Sequence, residues 1–347
     1  MSDAYARAGV DTGAADRAIG ALVGVLRTID SGRATRTVPL PGHYAAVLAV
    51  APNLGIAVGT DGVGSKLIVA ELTGRYDTVG IDCVAMNVND VICVGAEPIA
   101  VLDYLAVERT DPDVFEAIAR GLKAGAEQAG VEIPGGEVAV LPELIRGHPS
   151  PNGFDLTAAC FGTVALDRIV TGCACAPGDA LIGLPSSGLH SNGFTLARRV
   201  LEPLGLDHRP NALGGASVAD ALLEPTVIYV RAVLDLLGSG LPVHGLAHIT
   251  GGGLANLLRL SRDVGFAIEA PLALPPVFEL LSEHGAIPAP EMWAIFNMGC
   301  GLIAVVPEHT ADDAVAVLAA RHPGAARIGT VTGEAGRVGV PPLGVVL

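Results

Sequence analysis

Hydrophobic positions along the chain switch between two periods. Ile19, Leu22, Val23 and Leu26 recur at steps of three and four, which predicts an amphipathic helix over 14–28. A polar, Pro- and Gly-marked stretch over 31–43 predicts a loop. Short apolar runs at 44–50 and 54–59 predict strands, with a helix following from Lys66 to Leu72. Cys83–Val94 reads as a helix stopped by Gly95 and Pro98, Ile99–Val107 as a strand, and 112–129 as a helix capped by Gly130. Ala158–Leu166 reads as a strand, and the pattern is then interrupted near 167–178 by CACAPGD. Beyond it the mixture repeats: strands at Ala180–Leu184 and Gly301–Val306, helices at 194–203, 224–238, 254–260 and 310–321. Such mixing predicts an α/β protein of α+β type, in two units spanning 1–166 and 167–347.

Composition narrows the function classes. The chain has 347 residues, half of them hydrophobic, enough to bury a large core. A net charge of −15 argues against a nucleic-acid surface and against binding to anionic membranes. No run reaches the roughly 18 uninterrupted apolar residues of a spanning helix, and the first residues, MSDAYARAGVD, lack a signal-peptide core, so a cytoplasmic location is expected. The six cysteines are scattered among apolar neighbours and read as reduced, structural thiols.

The chemistry-bearing stretches are rich in Gly, Asp and Asn. Gly59-Thr60-Asp61-Gly62-Val63-Gly64-Ser65-Lys66-Leu67 resembles a phosphate loop, but Ser65 stands where the Walker pattern needs lysine. Asp61 would repel bare phosphate and becomes useful if a divalent cation lies between them. In GIDCVAMNVND, a helix would align Asp82, Met86, Asn89 and Asp90 on one face, suited to a hard cation; the alternative is an N-capping Asp82 with Asn89 and Asp90 solvated. Gly135-Gly136-Glu137 is either a close-approach site with a carboxylate or an ordinary turn. Ser186-Ser187-Gly188-Leu189-His190-Ser191-Asn192-Gly193 precedes a predicted helix and suits an anion, with His190 able to donate to a phosphoryl oxygen or move a proton; the alternative is Ser191 or Asn192 as a mere N-cap. His248-Ile249-Thr250-Gly251-Gly252-Gly253 reads as an anion-binding turn or a plain connection, and Phe296–Gly301 as a structural turn that can offer an edge to a ligand.

In this order the motifs resemble the AIR synthetase family, the phosphoribosylformylglycinamidine cyclo-ligases of the PurM-like superfamily. The resemblance runs from Tyr5–Asp11 through GTDGVGSKL, GIDCVAMNVND, GAEP, LDY, GGE, SSGLHSNG, LLEPTVIYV and HITGGGL to FNMGCG. It implies a homodimer formed through the N-terminal unit, with ATP, Mg²⁺ and a small-molecule nucleotide substrate in a cleft between units. It implies an ATP-dependent ligase of purine biosynthesis that activates an amide oxygen as an imidoyl phosphate and closes a ring. By the same resemblance, Asp61, Asp90 and Glu137 are the candidate metal ligands, and Lys66, Asp90 and His190 the candidate catalytic groups. Candidate nucleotide contacts are Asp61, Gly62, Lys66, Asp82, Asn89, Glu137, Ser187, Asn192, Gly251 and Gly252. Two segments depart from the family pattern: TRTVPLPGHY over 35–44 replaces a GGLGGF-type stretch, and GGEVAVLPE replaces GGETAE. The alternative readings are a paralogue that activates a different amide with ATP in a specialised pathway, or a non-catalytic nucleotide-binding paralogue.

Overall fold

The computed structural model describes residues 12–347, so Tyr5–Asp11 lies outside the described residues. The chain begins with α1 (Thr12–Leu26), β1 (Thr37–Val38), β2 (Ala46–Ala51) and β3 (Leu54–Gly62). Helices α2 (Leu67–Thr73) and α3 (Val79–Ile92) follow, then β4 (Glu97–Val107), α4 (Pro112–Ala129), β5 (Glu132–Val140) and β6 (Phe154–Ala165). These strands form one six-stranded sheet in the order β1-β2-β3-β6-β4-β5. It is antiparallel except where β4 runs parallel to β5.

The second half contains β7 (Ala180–Pro185), α5 (Phe194–Leu201), α6 (Val218–Leu223), α7 (Val230–Gly238), β8 (Gly245–His248) and β9 (Gly265–Ile268). It ends with α8 (Pro276–Gly285), α9 (Ala289–Ile295), β10 (Cys300–Val306), α10 (Ala311–Ala319), β11 (Ala326–Thr332), β12 (Val338–Val340) and β13 (Val345–Val346). Its sheet is seven-stranded, in the order β13-β12-β9-β11-β7-β10-β8. Strand β10 is buried along its whole length, which explains why it is apolar without alternation.

In the first sheet one face is covered and the other is open. Along β6 every second residue is buried, and Phe154, Leu156, Ala158, Cys160 and Val164 point to the helix side. Helix α3 lies there, held close to α4 by Gly80 and Gly121: an added Cβ at Gly80 would sit 2.3 Å from the Leu122 nitrogen. The opposite face keeps Leu102 39 %, Tyr104 39 %, Val138 46 % and Val140 50 % exposed. Helix α1 also leaves apolar side chains outward, with Leu22, Val25 and Leu26 exposed.

Three expectations shift. The GGE stretch is no turn; it lies inside β5, an edge strand that the glycines disguised. The helix expected over 224–238 begins only at Val230. Pro225 disfavours a helical residue before it, and the backbone of 226–229 is engaged by side chains of α3 instead. The loop over 31–43 contains the short strand β1. Among the described residues no helix is long and apolar enough to cross a membrane.

Candidate active site

Helical spacing puts Asp82, Met86, Asn89 and Asp90 on one face of α3, as expected, and that face meets the second half of the chain. Asp82 Oδ1 accepts from the Thr226 backbone N–H at 2.8 Å and its hydroxyl at 2.6 Å. Asn89 Oδ1 accepts from the Tyr229 N–H at 3.0 Å, while its Nδ2 donates to Val227 O at 2.8 Å. Asn192 Nδ2 lies 3.9 Å from Met86 Sδ, and Asp90 Oδ1 lies 2.8 Å from His248 Nδ1. A buried Asp or Asn must find partners, and the 224–229 segment supplies them. Asp82 and Asn89 are therefore seam residues with their polar atoms engaged, where a nucleotide contact was expected. Only Asp90, at the end of the face, keeps partial exposure.

Lys66 departs further from expectation. The turn Gly64–Lys66 carries its side chain inward until it is fully buried. Its Nζ lies 2.8 Å from Asp82 Oδ2 and donates to Glu224 O at 2.7 Å and His190 O at 3.1 Å. An ammonium has three N–H groups, and here each has a protein partner, so none remains for phosphate. Burial lowers the Lys66 pKa, and the Asp82 charge opposes that shift. Lys66 thus ties the phosphate-loop-like turn to both α3 and the second unit.

The neighbouring Asp61 is half-buried and lies in the row of β3 that faces the helices, opposite Ala158. Asn87 fixes its backbone, accepting from the Asp61 N–H at 2.9 Å and donating to its carbonyl at 3.1 Å. Asp61 Oδ1 accepts from the Gly62 N–H at 2.7 Å. Burial raises the Asp61 pKa; the Gly62 N–H opposes this, and the like charge of Asp90 adds to it. His248 and Arg259 also act on Asp61, so these groups share one electrostatic neighbourhood. Glu137 does not join them. Cross-strand register aligns Gly62, Thr157, Tyr104 and Glu137 in one row and Asp61, Ala158, Asp103 and Gly136 in the next. Adjacent rows face opposite ways, so Glu137 sits on the open sheet face, beside a hollow of about 650 Å³ lined by Thr60, Leu102 and Tyr104. Among the described residues no group of three or more His, Cys, Asp or Glu is arranged to hold a metal. The expected trio of Asp61, Asp90 and Glu137 is not assembled within one chain. Asp61 and Asp90 nevertheless suit Mg²⁺, which is commonly held by one or two carboxylates together with substrate phosphates.

The Ser186–Gly193 loop leaves β7 and enters α5 under side-chain control. Asn297, from FNMGCG, donates to Gly188 O at 2.8 Å and accepts from Ser186 Oγ at 2.8 Å. Ser187 Oγ donates to Pro225 O at 2.5 Å, and the Ser187 N–H donates to His190 Nε2 at 3.3 Å. His190 has φ 60°, a left-handed backbone uncommon for a side-chain-bearing residue. Burial drives its pKa well below 6.5, with the charges of His248 and Lys66 acting the same way, so its ring is neutral at pH 7. With Nε2 accepting, the proton sits on Nδ1, which is buried without a partner. Across the cleft, Gly251 approaches Asn192 so closely that an added Cβ would lie 3.3 Å from Asn192 Oδ1. Gly251 and Gly252 stay exposed at the rim, and Asn256 fastens their turn by accepting from the Thr250 N–H at 2.8 Å.

Four further residues complete this wall and were not among the candidates: His43, Tyr44, His248 and Arg259. Tyr44 donates to Asn256 O at 3.0 Å, and the Arg259 guanidinium lies 4.9 Å from the centre of the Tyr44 ring. His248 is fully buried, and its Nε2 has no partner. The HITGGGL motif pointed to His248; nothing in local spacing pointed to Arg259, whose guanidinium lies over the Tyr44 ring. These residues bring together two carboxylates, a guanidinium, imidazoles and exposed glycines. Phosphoryl transfer needs this combination, since it depends on positioning and charge neutralisation.

The sequence matches the model for AIR synthase related protein, N-terminal domain, over 42–164 and that for the C-terminal domain over 176–340. It is 48 % identical to the phosphoribosylformylglycinamidine cyclo-ligase of Thermococcus kodakarensis over 336 residues, 96 % of each chain. It is 46 % identical to the enzyme of the same name from Methanothermobacter thermautotrophicus over 339 residues, again 96 % of each. Among solved structures, thiamine monophosphate kinase from Aquifex aeolicus superposes with a TM-score of 0.62 at 18 % identity, covering 95 % of this chain and 97 % of that one. The hydrogenase maturation protein HypE in complex with ATP gives 0.61 at 23 % identity, covering 89 % of both. These two likenesses establish a shared fold.

Proposed function

The chain belongs to the AIR synthase related protein family, and we propose that it is an ATP-dependent cyclo-ligase converting formylglycinamidine ribonucleotide to aminoimidazole ribonucleotide. The substrate's amide oxygen attacks the γ-phosphorus of ATP, and ADP leaves. The imidoyl phosphate so formed is attacked by the ring-closing nitrogen; the carbon–oxygen bond breaks, inorganic phosphate departs and the nitrogen loses a proton. One observation carries the reading: Asp90, His248 and Arg259 act electrostatically on Asp61, and Asp90 Oδ1 lies 2.8 Å from His248 Nδ1, which joins the first half of the chain to the second. Asp61 and Asp90 come from β3 and α3 in the first half of the chain, and His248 and Arg259 from the second.

Asp61 and Asp90 would hold Mg²⁺ against the ATP phosphates, and the bound ion supplies charge neutralisation there. Arg259 adds a cation that cannot lose its proton. His190 is neutral with its N–H on the buried Nδ1, so it brings no charge to the loop before α5. Gly251 and Gly252 offer backbone amides to a phosphate at the rim. Lys66, Asp82 and Asn89 act one step away, fixing the relative position of the walls to which His190 and Asp61 belong.

The open sheet face, with Tyr104, Val138 and Val140 exposed, supports a homodimer in which a second copy covers it. Glu137 lies on that face, and we place it at the subunit boundary, where it serves nucleotide from the dimer side. The test is ADP release by the purified protein with ATP, Mg²⁺ and formylglycinamidine ribonucleotide, with aminoimidazole ribonucleotide scored alongside. One ADP per product supports the reading; ATP binding without substrate-dependent turnover overturns it.

A further inference from the structure

A cavity of about 370 Å³ shares no lining residue with the candidate active site. Helix α2 supplies Ile68 and Leu72, one turn apart, α5 supplies Thr195 and Arg198, and α6 supplies Leu222. Leu206 joins from the segment after α5, and His148 from the loop between β5 and β6. Both halves of the chain therefore build it. Its size falls in the range of small-molecule sites, about 300–1,000 Å³, and its lining is mainly apolar, as theirs is. Leu72 and His148 are exposed, so the space opens to solvent. Thr195 Oγ1 lies 3.2 Å from Ser65 Oγ, which ties one wall to the phosphate-loop-like turn.

The charged group in this lining is uncommitted. Arg198 is half-buried, and among the described residues its guanidinium closes no hydrogen bond and no ion pair. Acidic residues outnumber basic ones by 36 to 21, so a cation has partners to choose from. Arg75 pairs with Asp220, Arg321 with Asp235 and Arg327 with Glu308. Glu202 and Glu71 act on Arg198 only through their charges, and burial lowers its pKa by more than they raise it. Glu71 is engaged elsewhere: its Oε2 accepts from the His148 N–H at 2.5 Å and so holds the loop that completes the cavity. An arginine cannot relieve its burial by losing a proton. Its planar fork of N–H donors matches a carboxylate, which it can hold through two parallel hydrogen bonds. With two carboxylates already acting on it, the group balances one added negative charge and disfavours a dianionic phosphate.

We propose that this cavity is a second ligand site, taking a small organic monoanion whose apolar body lies among Ile68, Leu72, Leu206 and Leu222 and whose carboxylate meets the Arg198 guanidinium. The ligand sits between α2 and α5, the helices that leave GTDGVGSKL and SSGLHSNG, and braces the two against each other. The site stands whether or not the chain is a cyclo-ligase, because it uses none of the residues assigned to that reaction.

The probes are hexanoate, benzoate, phenylacetate and indoleacetate, each paired with its primary amide and titrated against the full chain by ligand-observed NMR. At least one acid is expected to bind, roughly tenfold or more tighter than its amide, the difference that a hydrogen bond to a charged group makes. Arg198→Gln should remove that preference without lowering the unfolding temperature. Arg198→Lys should keep part of it, since the charge stays and the fork is lost. Leu206→Trp, which fills the apolar end, should weaken acid and amide alike, and Mg·ADP should leave the acid bound. Binding of none of the acids overturns the proposal. So does equal binding of acid and amide, or a preference undiminished in Arg198→Gln and Arg198→Lys. Displacement of the acid by Mg·ADP would place the probe in the nucleotide site and overturn the proposal too.

Discussion

Replacing Lys66 by methionine separates two roles that one lysine could hold. The substitution keeps most of the side-chain volume and removes the ammonium. Asp82 then keeps its two hydrogen bonds from Thr226 but loses its cation, in a position with no access to water. The carbonyls of Glu224 and His190 lose their donor as well. Removing one partner of a buried ion pair costs about 3–5 kcal/mol, mostly from the charge left behind. That range is expected for the unfolding transition in urea. The companion Asp82→Asn substitution in the same chain removes the stranded charge, so the double variant should be more stable than the sum of the single effects by about 1 kcal/mol or more. Nucleotide affinity, measured well below the transition, should stay within about threefold of the wild type, because affinity tracks contacts actually made. Stability unchanged within about 0.5 kcal/mol, together with collapse of nucleotide binding, would show that Lys66 swings out to phosphate and that the buried arrangement is not its working state.

Asp90→Asn should leave the fold intact and cut turnover roughly a hundredfold or more, since even partners beyond the metal's own ligands are worth about 10–100-fold; ADP release at saturating substrate checks it. Asn89→Ala strands the Tyr229 N–H and the Val227 carbonyl at the seam, and should cost about 1–3 kcal/mol in urea unfolding. Stability should also fall on acidification through His43. Its folded pKa, lowered from 6.5 to about 4 by burial, means the unfolded chain binds the proton first, so its contribution is complete above 6.5 and is lost as pH falls toward 4. Asp61, raised by burial, works in the opposite sense at the acid end. The difference between wild type and His43→Gln isolates the histidine, and a variant with an unchanged pH slope over that window would contradict the assignment. His190→Ala should lower kcat while Mg·ADP still binds; loss of folding instead would make the residue structural.

The elements were legible where local signals agree with the tertiary outcome. The helix over 112–129 shows why: Asp111 accepts from the Asp113 and Val114 N–H groups, proline opens the first turn and Gly130 closes it in a left-handed cap. The α3 face was legible too, because helical spacing alone decides which side chains share a side. What that face meets was not legible. Asp82 and Asn89 have the chemistry of ion ligands, and only the position of 224–229 turns them into a seam. The strand β5 was hidden by paired glycines, whose low strand preference is overridden by pairing with β4. Lys66 followed the same pattern: its type suggested phosphate, and its place in the fold uses up its donors. His43 and Arg259 are far apart in sequence and joined through Tyr44, a relation that no local pattern encodes.

Phosphate tracing tests the proposed chemistry most directly. The substrate's formyl oxygen is labelled with the heavy isotope, the purified chain turns it over with unlabelled ATP and Mg²⁺, and the released phosphate is analysed by mass. If the amide oxygen attacks the γ-phosphorus, each phosphate formed with aminoimidazole ribonucleotide carries one labelled oxygen. Phosphate free of label, or released at the same rate without the ribonucleotide, would contradict amide activation in this cleft.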